Sequence, residues 1–521
     1  MATDRPNIVL LVNDHQAYYR HGWDGGVRPM TPNFDRLAGE GALFERAYCS
    51  TPLCGPARRT LMTGLYPHNH RNYYNYSNPP YDHEIYLSRL AEHGYENIFI
   101  GKWHAGSGTA LDFQAEGFSD EDYGNPYRTQ EYKKYLKSRN LPDPEHCVEY
   151  FFSGPMMESQ FPRMKKGPGY RSESSWSGEH AVGRTLSPKE THESFFLANL
   201  ACDKLEQLSE SASDRPFHLR VDFWGPHQPH FPTQEFVDLY DADEISEYGS
   251  FRDDLSGKPS PFWHDVHRPL ADESNRFISP SPLAWREWQL IVARAYAHIT
   301  MIDAAGGRIL DKLDELGLAD NTVLMWTTDH GDALASHGGR FDKGSFMSEE
   351  VIRVPLAIRH PDRAFVGQRI TELVSGIDIA PTILDCAGLE FERPVDGKSI
   401  LPLVKQESVR WREELLVETF GHGFGKRHQG RAVVSQDHKY VAWQDDLDEL
   451  YDLVQDPFEL QNLAGKSGSN RLLEEMQSRL ATWISQTGDC YFNKPLSQKF
   501  IRDDENRLRE LTERREAKGH S

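Results

Sequence analysis

Hydrophobic residues in this chain fall into two kinds of pattern. Short unbroken runs, Asn7–Val12, Asn97–Ile100, Phe217–Phe223, Thr322–Thr327 and Val354–Ile358, read as strands buried on both faces. Polar or glycine-rich residues stand at the C-terminal end of most of them. Between these runs, apolar positions recur at three- and four-residue spacing. The longest such stretch is Leu283 to Leu316, where Trp288, Ile291, Ala295, Ile299 and Ile302 form the stripe of a helix covering one side of a sheet. A second helix opens at Thr31-Pro32 and runs through Leu37, with threonine at the N-cap and proline at the first helical position. Alternation of the two patterns predicts an α/β fold with a largely parallel sheet, which takes ligands at the carboxyl ends of its strands.

Two regions depart from that pattern. From about Asp120 to Glu193 the chain is rich in Tyr, Pro, Gly and Ser, which predicts an insertion over the sheet framing a pocket. After Pro402, the short segments Leu415–Phe420, Ala432–Ser435, Tyr440–Trp443 and Glu449–Leu453 precede a helical stretch from Arg471 to Ile484. They predict a small antiparallel α+β unit. The organisation is therefore a catalytic unit over 1–404 with the insertion at 120–193, a C-terminal unit over 405–490, and a charged tail over 491–521. Within the tail, Arg502 to Lys518 reads as a solvated helix or an oligomerisation arm.

Composition narrows the function classes. The 521 residues carry 58 Lys+Arg against 79 Asp+Glu, a net charge of −21, which argues against general affinity for nucleic acid or an anionic membrane. Any anionic substrate must then meet a locally basic site. The longest clean aliphatic run, Ile8 to Val12, is far shorter than the roughly 20 residues of a membrane span, and Asn13, Asp14 and His15 follow it where a signal cleavage site would need small residues. The sequence predicts a cytoplasmic chain. Its six cysteines show no CxxC spacing, so neither a zinc knuckle nor a disulfide framework is indicated.

The informative segment is Cys54-Gly55-Pro56-Ala57-Arg58-Arg59-Thr60-Leu61-Met62-Thr63-Gly64. A cysteine precedes a proline able to start a helix, and a glycine ends that helix after about two turns. A thiol there would stand at the positive end of the helix beside Arg58, which predicts a lowered pKa and favours anions.

Cys54-x-Pro56-x-Arg58 with Leu61-Met62-Thr63-Gly64 resembles the signature of the type I sulfatases, of the alkaline phosphatase-like superfamily. The likeness extends along the chain. Pro6 to Leu11 with Asp14, Thr31 to Leu37, Gly101-Lys102-Trp103-His104, Pro226-His227-Gln228-Pro229, Asp329-His330-Gly331, Lys343, and Glu449 to Leu453 with Asp456-Pro457 match further motifs in order. It implies a mostly parallel central sheet flanked by helices, with a smaller C-terminal antiparallel subdomain. It also implies a sulfuric ester hydrolase whose Cys54 is oxidised to formylglycine by a formylglycine-generating enzyme.

Each matched residue suits that chemistry. A sulfate ester must be bound as an anion, attacked at sulfur and relieved of an alkoxide, which requires cations, an activated oxygen and a proton donor. By the resemblance, hydrated formylglycine at Cys54 attacks to give a sulfo-enzyme, then collapses to the aldehyde and expels sulfate. Asp14, Asp329 and His330 with modified Cys54 would enclose one divalent cation, calcium first, with manganese or magnesium as alternatives. Lys102, Lys343 and His227 would bind the sulfate group, Arg58 would hold the diol and its loop, and His104 and His227 would move protons.

The sequence departs from the commonest family pattern at His15, where a second aspartate often stands, and at His330, where asparagine is frequent. His15 is read either as a metal contact or as a hydrogen-bonding neighbour of the site. His230 and His337 are read as either supporting or contacting residues. The stretch Asn72 to Tyr76 is read either as lining an aromatic pocket or as loop packing. The substrate class is a small-molecule or carbohydrate sulfate ester. Within the superfamily the alternative is a phosphonate monoester or phosphodiester hydrolase, which Cys54 to Arg58, Asn69-His70-Arg71 and Asp329-His330 also resemble. A two-metal phosphatase would need further His and Asp ligands, and a catalytically dead scaffold should have lost a core catalytic side chain.

Overall fold

The computed structural model describes residues 5–18, 26–75, 77–120, 125–153, 167–171, 181–211, 215–264, 268–269, 284–362, 366–422 and 428–496. Its centre is an eight-stranded sheet of β1 (Asn7–Asp14), β2 (Ala42–Phe44), β3 (Glu96–Lys102), β4 (Ala115–Asp120), β5 (Phe217–Pro226), β6 (Thr322–Thr328), β7 (Leu356–Arg359) and β8 (Gln368–Ile370). The spatial order is β8-β2-β7-β6-β1-β5-β3-β4. Every neighbouring pair is parallel except those that β7 makes with β6 and β2. The mostly parallel α/β fold expected from the alternating pattern is thus present.

Period-two alternation along β1 assigns the two faces. Ile8, Leu10 and Val12 join one apolar cluster with Leu61 and Met62 of α2 (Cys54–Thr63). Val9 and Leu11 join the other with Leu37 of α1 (Pro32–Gly39), Phe196 of α3 (Glu193–Glu210) and the stripe Trp288, Ile291, Ala295, Ile299, Ile302 of α4 (Trp285–Glu315). Because helices cover both faces, the central strands show unbroken hydrophobic runs.

Three details differ from the sequence reading. The run Val354–Ile358 is two strands: Val354 pairs with Ala47 in a small sheet, while Leu356–Arg359 enters the main sheet antiparallel. Pro355 stands between them and has no N–H to give to a ladder; its carbonyl instead accepts from the Thr327 hydroxyl at 2.8 Å. At α1, Thr31 occupies the N-cap position but accepts no amide. The first-turn N–H groups of Asn33 and Phe34 go to the Asp303 carboxylate of α4, at 3.0 and 2.8 Å. The stretch from Asp120 to Glu193 carries regular structure of its own: a helix at Gln130–Ser138 and strands at His146–Ser153, Gly167–Tyr170 and Ala181–Thr185.

After β8 the chain forms a sequential antiparallel sheet of β9 (Glu414–Thr419), β10 (Gly430–Ser435), β11 (His438–Trp443) and β12 (Glu449–Asp452), followed by α5 (Asn470–Thr487). One face packs on Met476 and Leu480 of α5; the other, through Leu415, Val417, Val434 and Trp443, joins the core of the large sheet. The Arg502 to Lys518 stretch and Tyr76 lie outside the described residues, as does Leu283. No described helix is long and apolar enough to cross a membrane.

Candidate active site

Four parallel strands deliver their carboxyl ends to one edge. Asp14 ends β1, Lys102 ends β3, His227 follows β5, and Asp329-His330 follow β6. Opposite them α2 starts at Cys54 and stops at Gly64, whose left-handed backbone (φ 68°) is the usual end for a helix. Cys54 Sγ lies 3.0 Å from His330 Nε2 and 3.8 Å from Asp14 Oδ1. His330 is oriented by its other nitrogen, 2.8 Å from the Gly331 carbonyl. A carbonyl only accepts, so Nδ1 carries the proton and the Nε2 lone pair faces Cys54.

Arg58, one turn beyond Cys54, is fully buried and divides its guanidinium among three strands. Nη2 donates to Asp14 at 2.9 Å, Nη1 to Asp222 at 2.8 Å and Nε to Asp329 at 3.0 Å. Asp222 is held in turn by Arg220 at 2.6 Å, and Lys102 Nζ donates to Asp14 at 2.5 Å. On the far side Lys343 Nζ lies 3.3 Å from His227 Nε2 and 3.1 Å from Asp342. In this ion-paired cluster Arg58, Lys102, Arg220 and Lys343 meet Asp14, Asp222, Asp329 and Asp342. The charges balance, so the side chains alone do not make the locally basic site expected for an anionic substrate.

Electrostatics corrects the expectation of a lowered Cys54 pKa. Burial pushes the thiol up to about 12, and nearby Asp14 adds to the rise. Lys343 and Lys102 pull the other way without offsetting the burial. Burial alone would raise Asp14, but Lys102 and Arg58 hold it well below the usual carboxylate range. Burial opposes the charge on Lys343; Asp342 outweighs it and keeps the amine protonated. His227, His104 and His330 are all shifted down, chiefly by burial, with Lys343 or Lys102 adding to it at the first two. They are neutral imidazoles in this arrangement.

His104 Nε2 lies 3.2 Å from the Asn75 carbonyl, and His227 Nδ1 lies 2.7 Å from the Gln228 carbonyl. The basic nitrogens are therefore Nδ1 of His104 and Nε2 of His227. His15 donates its backbone N–H to Asp329 at 3.0 Å, while its ring stands 4.9 Å from that of His227 and 4.8 Å from that of His330. Its Nε2 faces Asp342 at 3.3 Å and Asp332 at 3.6 Å. Beside it, Tyr18, Arg28, Tyr248, Trp285, Tyr296 and Asp332 line a partly open cleft.

The edge thus gathers Asp14, Cys54, Arg58, Lys102, His104, His227, Asp329, His330 and Lys343. It does not gather His230, which sits beside His298 at 3.4 Å, or His337, held between Asp253 and Glu350. Asn69 and His70 are turned to Asp396 and Thr60. Tyr73 packs on Phe420 of the C-terminal unit, whereas Asn75 takes the Gly55 N–H at 3.0 Å and supports the start of α2. Sequence reasoning missed Asp222 and Asp342, and read Asn75 only as part of the Asn72 to Tyr76 stretch. Asp222 had a readable signal: Arg220 and Asp222 stand two apart inside an otherwise buried strand, so they share one face and must pair.

Known proteins resemble the chain along most of its length. The chain is 28% identical over 513 residues to the choline-sulfatase of Rhizobium meliloti, covering 96% of this chain and 91% of that one. It is 27% identical over 507 residues to the N-acetylglucosamine-6-O-sulfatase of Bacteroides thetaiotaomicron, covering 94% and 88%. Among solved structures it resembles the phosphonate monoester hydrolase of Agrobacterium radiobacter, with a TM-score of 0.72, 23% identity and coverage of 93% and 96%; that likeness is one of fold. The C-terminal model of N-sulphoglucosamine sulphohydrolase matches residues 336–486. The sulfatase model matches residues 6–389, most of the chain and every strand of the catalytic edge, and the protein belongs to the sulfatase family.

Proposed function

We propose that this sulfatase hydrolyses a carbohydrate or other small-molecule sulfate monoester by way of a formylglycine made from Cys54, with one divalent cation. The observation that carries the reading is the position of Cys54 Sγ, 3.0 Å from the His330 lone pair and 3.8 Å from Asp14 at the start of α2. The donors fit such an ion. Asp14, Asp329, His330 and Cys54 are buried and offer ligand atoms within 4.8 Å of one another. Two carboxylates favour a hard cation, and calcium is the ion we propose, although the imidazole also suits manganese. When bound, the cation supplies Lewis-acid polarisation of the sulfate group.

The remaining work falls to side chains of the chain itself. Lys102 and Lys343, on opposite walls, bind non-bridging sulfate oxygens, and Arg58 holds the start of α2 against three strands. Lys343 Nζ and His227 Nε2 hold a proton between them, at the place from which a leaving oxygen would take it. His104 Nδ1 is the base for the hydroxyl at position 54, because Nε2 is fixed on Asn75. The cleft beside His15 takes the group that carries the ester; the named activities of the two curated relatives support the substrate class.

The test begins with peptide mass spectrometry across Cys54 on protein co-produced with a formylglycine-generating enzyme. Metal analysis and paired assays on an aryl sulfate and an aryl phosphonate follow. Aldehyde at Cys54 with preference for the sulfate is the expected result. Thiol alone in a fully active sample overturns the nucleophile, and preference for the phosphonate overturns the substrate class.

A further inference from the structure

A second group of buried ligating side chains lies apart from Cys54, between α3, α4 and the end of β5. His192 precedes α3, Glu193 opens it, and His298 comes from the middle of α4. Their exposures are 3%, 3% and 2%, and one ligand atom from each lies within 4.8 Å of the other two. Glu193 Oε2 and His298 Nε2 have no hydrogen-bond partner. Leaving a buried polar atom unpaired costs about 1–3 kcal/mol, and the hydrolytic reaction uses neither group.

The surroundings orient the two imidazoles. His298 Nδ1 lies 3.4 Å from His230 Nδ1, and His192 Nδ1 lies 2.9 Å from Ser194 Oγ. The Ser194 backbone N–H donates to His192 Nδ1 at 3.3 Å, so the His192 proton stands on Nε2 in the metal-free protein; binding at Nε2 shifts it to Nδ1, where Ser194 Oγ accepts it. The backbone of β5 closes the site at Gly225, where an added Cβ would stand 2.7 Å from His298 Nε2. Any larger residue there would fill the space the ligands share.

We propose that His192, Glu193 and His298 bind a divalent transition-metal ion, zinc by the chemistry of the donors, with water in the fourth position. Two imidazoles and one carboxylate form a zinc set, whereas calcium wants six to eight oxygens. Ligand atoms within 4.8 Å of one another need to move by under ~1 Å each to reach zinc bonds of roughly 2.0–2.2 Å. With the Glu193 carboxylate and two neutral imidazoles as ligands, the occupied site carries one net positive charge. The ion would brace Gly225, two residues before His227, so this site would support the hydrolytic one without touching substrate.

The test reads binding instead of turnover, so it stands or falls apart from the hydrolytic reading. Cobalt(II) is titrated into the metal-stripped full-length chain and followed by visible absorption and by equilibrium dialysis against zinc. The expected result is a tetrahedral cobalt spectrum that zinc bleaches, with one equivalent fewer bound in Glu193→Gln and in His298→Ala. Glu193→Gln keeps the shape of the side chain and removes the anionic ligand, so the zinc-dependent rise in melting temperature should disappear. If both variants bind as many equivalents as the parent, or if the zinc-dependent rise persists in Glu193→Gln, the site does not exist.

Discussion

Arg58 and Arg431 are both buried guanidiniums among carboxylates, yet their clusters have opposite characters. Arg431 of β10 donates to Asp489 at 2.6 Å and to the carbonyls of Thr419 and Gly430, with Glu418 at 3.4 Å. Glu418 accepts the backbone N–H and Nδ1 of His68, whose Nε2 reaches the Thr487 carbonyl at 3.2 Å. This cluster is closed, and it ties the region after α2 to the C-terminal sheet. The Arg58 cluster instead borders Cys54, whose neighbours are a lone pair and a carboxylate that can take a cation. Buried charges are structural where protein partners complete them and chemical where one side is left for something else.

The largest test of that contrast is Cys54→Ala. Turnover should fall by at least about 10⁴-fold, as for loss of a nucleophile, with the thermal midpoint unchanged. A residual activity above that level would move the chemistry off Cys54. His227→Ala comes next: esters with poor leaving groups should lose about 10²- to 10⁴-fold, and activated aryl sulfates far less. Equal losses on both would remove it as the leaving-group acid. On the closed side, Glu418→Gln should cost about 3–5 kcal/mol in denaturant unfolding while kcat per folded molecule stays the same, because it leaves Arg431 and His68 underpaired. A drop in kcat would show that the two clusters are coupled.

The smallest effect is one of pH. Burial opposes the His68 charge, but Glu418 outweighs it and raises the pKa to about 9. Both ring nitrogens face acceptors, so only the imidazolium satisfies both. The unfolded side chain titrates near about 6.5, so this contribution is whole below that pH and is lost as pH rises through about 9. Its size is at most about 3 kcal/mol by the linkage between the two values. Melting curves between pH 6 and 9.5 should show the fall, and His68→Gln should flatten it.

Much of this molecule was legible in the chain. Runs such as Ile8 to Val12 reveal a doubly covered strand because both faces demand apolar residues, and Gly64 marks the end of α2 because its left-handed backbone suits that stop, although the helix starts at Cys54 and not at the proline. What escaped depends on residues distant in sequence. Thr31 lost the capping role to Asp303 because α4 brings a stronger acceptor to the same amides. The direction of the Cys54 shift turned on its complete burial, with Asp14 beside it, which no local pattern contains. The split at Pro355 was local, but only the neighbours of each half show that they belong to different sheets.

Arg58 can also be viewed as a mount. A body touching a frame at one point can pivot freely, and at two points it can still swing about the line between them. Three points out of line remove the last rotation. Nε, Nη1 and Nη2 meet carboxylates on or just beyond three different strands, so the helix that begins at Cys54 inherits its tilt from the sheet as a whole. A lysine at this position would keep the charge and reduce the mount to a single post. The aim of the residue one turn away would then wander although every other part was still in place.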